Sequence, residues 1–85
     1  MKREAEFFGD AEMDLVFIAK RLRDALALES ALTESGLEYY VEADRYRGGV
    51  IFQSERVGAF FYVLPADHDN ACATVRRLGF HPFEP

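Results

Sequence analysis

Ala59-Phe60-Phe61-Tyr62-Val63-Leu64-Pro65-Ala66-Asp67 is the stretch that decides the fold. Its six apolar, largely β-favouring residues give the strongest strand signal in the chain. Pro65 stops the strand because it lacks an N–H for the ladder. Asp67 then stands where a helix N-cap is wanted, and Asp69 adds negative charge near the positive helix end. Ala71, Cys72, Val75 and Leu78 follow at helical spacing and form a buried stripe. Arg76 and Arg77 occupy the last turn, where cations complement the dipole, and Gly79 ends the helix. A strand running directly into an amphipathic helix is half of a two-layer α+β arrangement.

Upstream, the same pattern occurs in reverse proportion. Residues 13–19 read as a strand. Residues 22–35 read as a helix, with Leu22, Ala25, Leu28 and Leu32 sharing one face. Gly36 supplies the C′ position after it. Residues 37–43 read as a second strand, with Tyr39 and Val41 alternating against Tyr40 and Glu42. Gly48-Gly49 marks a turn. Residues 50–58 admit three readings: the start of the third strand, a bulged strand, or an extra hairpin. Phe80-His81-Pro82-Phe83 reads as a short last strand. The expected fold is therefore α+β, a ferredoxin-like βαββαβ domain with an antiparallel sheet and two helices on one face. It spans residues 13–85, behind an acidic leader, residues 1–12, that is disordered or loosely docked.

Composition narrows the function classes. The chain has 85 residues, enough for one domain, and 49% of them are apolar. Ten basic residues stand against fifteen acidic ones, a formal charge of −5. Such a domain is repelled at long range by nucleic acid and anionic lipid, so both are disfavoured as partners. Cys72 is the single cysteine, which excludes an intramolecular disulfide and points to a reducing, cytoplasmic setting. No apolar run is long enough to span a bilayer, and the charged N-terminus does not read as a signal peptide.

A family resemblance follows from several of these features together. Ala19-Lys20-Arg21-Leu22, Ala25, Leu28-Glu29, Leu32, Gly36-Leu37, the Gly48-Gly49 loop and the helix opening at Pro65-Ala66-Asp67 resemble a family of small prokaryotic signal-transducing proteins. That family is related to the PII-like, ferredoxin-like group. The likeness covers roughly residues 13–79. It implies a regulatory or ligand-sensing role and names no functional residue. The loop at residues 44–58 is shorter than the signalling loop of true PII proteins.

The chain carries no GxxxxGK[ST] or GxGxxG string. His68 and His81 are not at metal-ligand spacing, and Asp67-His68-Asp69 cannot converge on one ion from a single turn, so no metal site and no cofactor is expected. Cys72 falls in the apolar stripe and reads as structural. No catalytic residue is assigned. The basic residues are more informative. In the βαββαβ topology the ends of the first two strands emerge at one edge, which would gather Lys20, Arg21, Arg45 and Arg47 beside Gly48 and Gly49. The same topology would bring Arg76 and Arg77 to that edge. Lys20 and Arg21 precede a helix N-terminus, where cations are unfavourable unless an anion joins them. An anionic small molecule is the expected ligand there.

Both sheet faces read as apolar, although only one can meet the helices. Leu15, Phe17, Phe60 and Tyr62 are the expected contact residues of a homodimer or higher oligomer packed through the open face. Phe7, Phe8, Phe80 and Phe83 are the intramolecular alternative for covering it. Two other functions remain open. One is a single-stranded RNA binder of the RNA-recognition-motif type, which would stack bases on aromatics of the first and third strands. The other is a small dimeric α+β barrel enzyme using His81, His68 or a buried tyrosine as acid or base. Glu29 falls within the apolar sector of its helix and needs a partner if buried.

Overall fold

The strand that contains residues 59–63 lies at the centre of the sheet. In the computed structural model, which describes residues 1–48 and 54–84, β3 (Ser54–Val63) pairs antiparallel with β1 (Asp14–Ala19) on one side and β2 (Tyr39–Gly48) on the other. Among the described residues there are also three helices: α1 (Ala5–Phe8), α2 (Leu22–Glu34) and α3 (His68–Arg77), the last entered through a 3-10 turn at Pro65–Asp67. The protein is thus α+β, with a three-stranded antiparallel sheet of order β1-β3-β2.

The expected fourth strand is not formed as a strand. Residues 80–84 carry no strand pairing of their own; one backbone hydrogen bond, from Phe83 N–H to the Val16 carbonyl at 2.7 Å, ties them to β1. Pro82 removes one donor from this short segment. Residues 54–58, the least determined part of the sequence, belong to β3, whereas the rest of that interval lies outside the described residues. β2 is longer than its apolar core suggests. Asp44 to Gly48 pair in register with Gly58 to Ser54. β1 reaches only as far as Ala59, so this end of the β2–β3 hairpin projects beyond the sheet.

The core sits between the helices and one sheet face. Val16, Leu28, Leu32, Tyr39, Phe61, Val63, Ala71 and Val75 are almost wholly removed from water. The Phe61 ring is near those of Tyr39 (centroids 6.2 Å) and Phe17 (6.5 Å), so aromatic contact adds to area burial. Two expected stripe residues do not belong to the core. Leu22, the first residue of α2, is 74% exposed, and Leu78 lies beyond the end of α3. Thr74 is buried instead, and its hydroxyl donates to the Asn70 carbonyl at 3.0 Å. Gly36 and Gly79 have φ of 77° and 86°, the left-handed conformation that ends α2 and α3 without a Cβ penalty.

The acidic leader docks. Lys2 bridges to Tyr39 in parallel, the Arg3 N–H donates to the Tyr39 carbonyl, and the N-terminal ammonium donates to the Leu37 carbonyl. Arg3 Nε donates to Glu38 at 2.6 Å, and Lys2 Nζ lies 3.7 Å from Glu29. The half-buried Glu29 thus has its partner. The Arg3 hydrogen bond holds the Glu38 carboxyl below its ordinary value. Its contribution is present above the unfolded carboxylate range and is lost as pH falls through the lowered value. Glu38→Gln should therefore reduce the difference in urea midpoint between pH 7 and pH 3.

Tyr39 is the buried polar group that matters most. Its hydroxyl donates to the Glu29 carbonyl at 2.9 Å and pairs with the Thr33 hydroxyl at 2.9 Å, so it clamps β2 to α2. Tyr39→Phe should cost about 1 kcal/mol, lowering Tm by about 4–8 °C in a domain of this size. Burial also raises the phenols of Tyr39 and Tyr62 and the thiol of Cys72. The folded state favours their neutral forms, so this stability is complete below their unfolded pKa values and declines as pH rises through the folded ones. Urea midpoints should hold to about pH 8 and fall above about pH 9.

Candidate functional site

Register decides which aromatic residues face which side. Phe17 is paired with Phe61, and Phe61 belongs to the core, so Phe17 points toward the helices. Leu15 is paired with Tyr62 and Ile18 with Phe60 on the opposite face. The register shifts between Leu15 and Phe17, so Val16 is an extra residue that places two consecutive side chains on the core side. Of the four residues expected on the open face, Leu15, Phe60 and Tyr62 lie there. Phe17 does not, and Ile18 takes its place. This splits the aromatic pair that an RNA-recognition platform would need. Tyr40 joins the open face and stacks on Tyr62 at 5.9 Å. Leu15, Ile18, Tyr40 and Tyr62 remain half-buried. The expected cover is incomplete: Phe8 is half-buried, but Phe7 is 53% exposed and packs edge-on against Phe8 with the Arg3 guanidinium over its ring.

A cleft opens where β1 ends. Its volume is about 620 Å³, and it is lined by Phe17, Ile18, Lys20, Arg21, Asp24, Tyr46, Gly79, Phe80, His81 and Phe83. Three structural facts make it. The Val16 bulge turns Phe17 toward the C-terminal segment, where its ring stacks on Phe80 at 5.1 Å and 11°. The Phe83–Val16 hydrogen bond then holds that segment along β1. On the other side, the projecting hairpin brings Tyr46 against Gly58 and Ile18, and Lys20 Nζ lies 5.3 Å from the Tyr46 ring centroid.

The basic edge is only partly assembled. Lys20 and Arg21 line the cleft, with Arg21 as the N-cap of α2. Arg45 is in register with Val57 and so points to the face opposite that of its neighbour Tyr46; it does not line the cleft. Arg47 and Gly48 continue the β2 ladder opposite Glu55 and Ser54, and Gly49 lies outside the described residues. Arg77 is removed from the edge altogether. It donates to the Ser35 hydroxyl at 3.3 Å, at the far end of α2 from Arg21. The C-terminal segment, a wall of the site, is not among the site residues expected from sequence. Its signal is the aromatic pair Phe80 and Phe83 around Pro82, in a segment that reads as a short strand.

Electrostatically the cleft is a local exception on an acidic body. Lys20 and Arg21 oppose the single carboxylate of Asp24, and the positive end of the α2 dipole adds to them. Below the cations the walls are aromatic and aliphatic. Among the described residues no group of three or more His, Cys, Asp or Glu side chains could hold a metal ion. No helix among them is long and apolar enough to cross a membrane. Compared with models of protein families, with curated proteins and with solved structures, the chain matches none, so its functional reading rests on this geometry.

Proposed function

We propose that the protein is a regulatory or ligand-sensing domain that binds a small molecule with an apolar, preferably aromatic, body and an anionic group. The observation that carries this reading is the cleft at the end of β1. Phe17, Phe80, Phe83 and Ile18 offer an apolar floor, and Lys20 and Arg21 stand at the start of α2. A concave, mainly apolar site with a few convergent polar groups is the usual form of a small-molecule site. The βαββαβ reading and the signalling-family resemblance are consistent with it. In that reading the segment at residues 80–84 is a reduced fourth strand, held to β1 by its one bond from Phe83.

The test uses anilinonaphthalene sulfonate, which combines an aromatic body with a fixed negative charge. It should bind with a stoichiometry of about one and with an affinity that falls as salt rises. Lys20→Ala with Arg21→Ala should weaken binding at least tenfold, about 1.4 kcal/mol. Arg77→Ala, at the other end of α2, should leave it unchanged. Equal affinity in all three proteins would end the proposal.

Self-association through the open sheet face is a second, separate reading. Half-buried Leu15, Ile18, Tyr40 and Tyr62 favour it, because an apolar face of that kind is costly to leave in water. Light scattering at high micromolar concentration should give a dimer mass, reverted to monomer by Ile18→Glu. A monomer mass for the unaltered chain would remove it.

A further inference from the structure

At the opposite end of β1 from the cleft, three side chains form a relay. Asp14, the first residue of β1, has Oδ2 at 3.0 Å from Nδ1 of His68. His68 is the first residue of α3, and its Nε2 lies 3.5 Å from Sγ of Cys72, one helical turn later. A carboxylate only accepts, so Nδ1 carries the proton in this contact. In the neutral ring Nε2 is then the free acceptor, and the Cys72 S–H donates to it. Thiol, imidazole and carboxylate stand in the order nucleophile, base, orienting group.

From this arrangement we infer that Cys72 is an oxidation site for small hydroperoxides, with His68 as its proton acceptor and Asp14 as a positioning residue. Cys72 is 5% exposed as a residue and the His68 side chain 41%, so the ring lies between a nearly buried residue and solvent. Arg76, one turn beyond Cys72, adds positive charge on the same helix face, while Asp69 and Asp14 oppose it. Burial keeps the resting thiol protonated, which is why a base at hydrogen-bond distance matters. In the reaction the S–H proton passes to His68 Nε2 and the sulfur attacks the terminal peroxide oxygen. An S–O bond forms and the O–O bond breaks. The sulfur is oxidised by two electrons to a sulfenic acid, and the peroxide is reduced to an alcohol or water, taking the proton back from His68. Cys72 is the only cysteine, so no second thiol of the same chain can condense with the product. An external thiol would restore it.

The experiment treats the whole chain with hydrogen peroxide at pH 7 and follows trapping of the sulfenic acid by a dimedone-type reagent with mass spectrometry. Wild type should label at Cys72, and Cys72→Ala should not label. His68→Gln should lower the rate about 100-fold or more, as expected on removing a positioned base. Asp14→Asn should lower it less and should shift the His68 ring away from a single Nδ1–H tautomer in nitrogen NMR. A ring that merely covered the sulfur would give the reverse, because removing it would speed the reaction. Rates in His68→Gln at or above wild type overturn the inference. If that variant does not fold, Asp14→Asn decides by the same criterion, with an unchanged rate or unchanged tautomer counting against it.

Discussion

Phe61→Ala should leave the domain largely unfolded at 37 °C. Phe61 is fully buried near the C-terminal end of the central strand, paired with Phe17 on one side and Val41 on the other. It contributes to both ladders and to the aromatic contacts with Tyr39 and Phe17. Removing a buried phenyl ring costs about 3–5 kcal/mol, because the cavity collapses only partly. Small domains have total stabilities near the lower end of about 5–15 kcal/mol. The substitution therefore removes most of the reserve. Circular dichroism should show loss of the cooperative thermal transition or a Tm lower by more than about 12 °C, taking about 4–8 °C per kcal/mol. Phe7→Ala, at a half-exposed ring, should move Tm by only a degree or two and serves as the control.

The second large effect is expected at Gly58, where the sheet and the cleft meet. A Cβ built there would stand 3.1 Å from the Ala19 carbonyl oxygen, 3.1 Å from Ile18 Cγ2 and 3.1 Å from Tyr46 Cδ1. The two side chains can give way by a few tenths of an ångström, but the carbonyl belongs to the β1 backbone. Gly58→Ala should thus be mildly destabilising. Gly58→Val adds two further methyl groups at the same point, and overpacking of that kind costs about 1–3 kcal/mol. The strain falls on the end of β1, where Ala19 pairs with Ala59, and on Tyr46. Both border the cleft. Gly58→Val should therefore lower Tm by about 4–24 °C and also weaken dye binding, coupling a stability loss to a binding loss. A variant that loses stability but binds the dye normally would place Tyr46 outside the site.

The helices were legible because their signals are local. The glycines after α2 and α3 and the spacing of Leu28, Leu32, Ala71 and Val75 needed no tertiary information. The bulge at Val16 left no such mark. With both faces of β1 apolar, a one-residue slip exchanges Phe17 for Ile18 without disturbing any visible alternation. The outer half of β2 reads as loop in the sequence because Asp44 to Gly48 is charged and ends in glycine. As part of a projecting hairpin it carries charges suited to an exposed edge. Lys20 and Arg21 stand out in the sequence by their place before a helix, and both line the cleft. Arg45 and Arg77 could not be resolved from them, since alternation along β2 and the reach of a long side chain are decided by the fold. The His68–Cys72 pair is a helical spacing of four, visible in the sequence. Asp14 joins it only because β1 begins beside α3, a juxtaposition across 54 positions.

The cleft at the end of β1 is the part of this account on which the functional reading depends. A nitrogen–proton NMR titration of the whole chain with anilinonaphthalene sulfonate tests it most directly. The largest amide shifts should fall at Phe17, Ile18, Lys20, Arg21, Tyr46 and Phe80 to Phe83, with little change at Tyr40 and Tyr62. Shifts concentrated on Leu15, Tyr40, Phe60 and Tyr62, with residues 80–83 unmoved, would contradict it and place the ligand on the open face of the sheet.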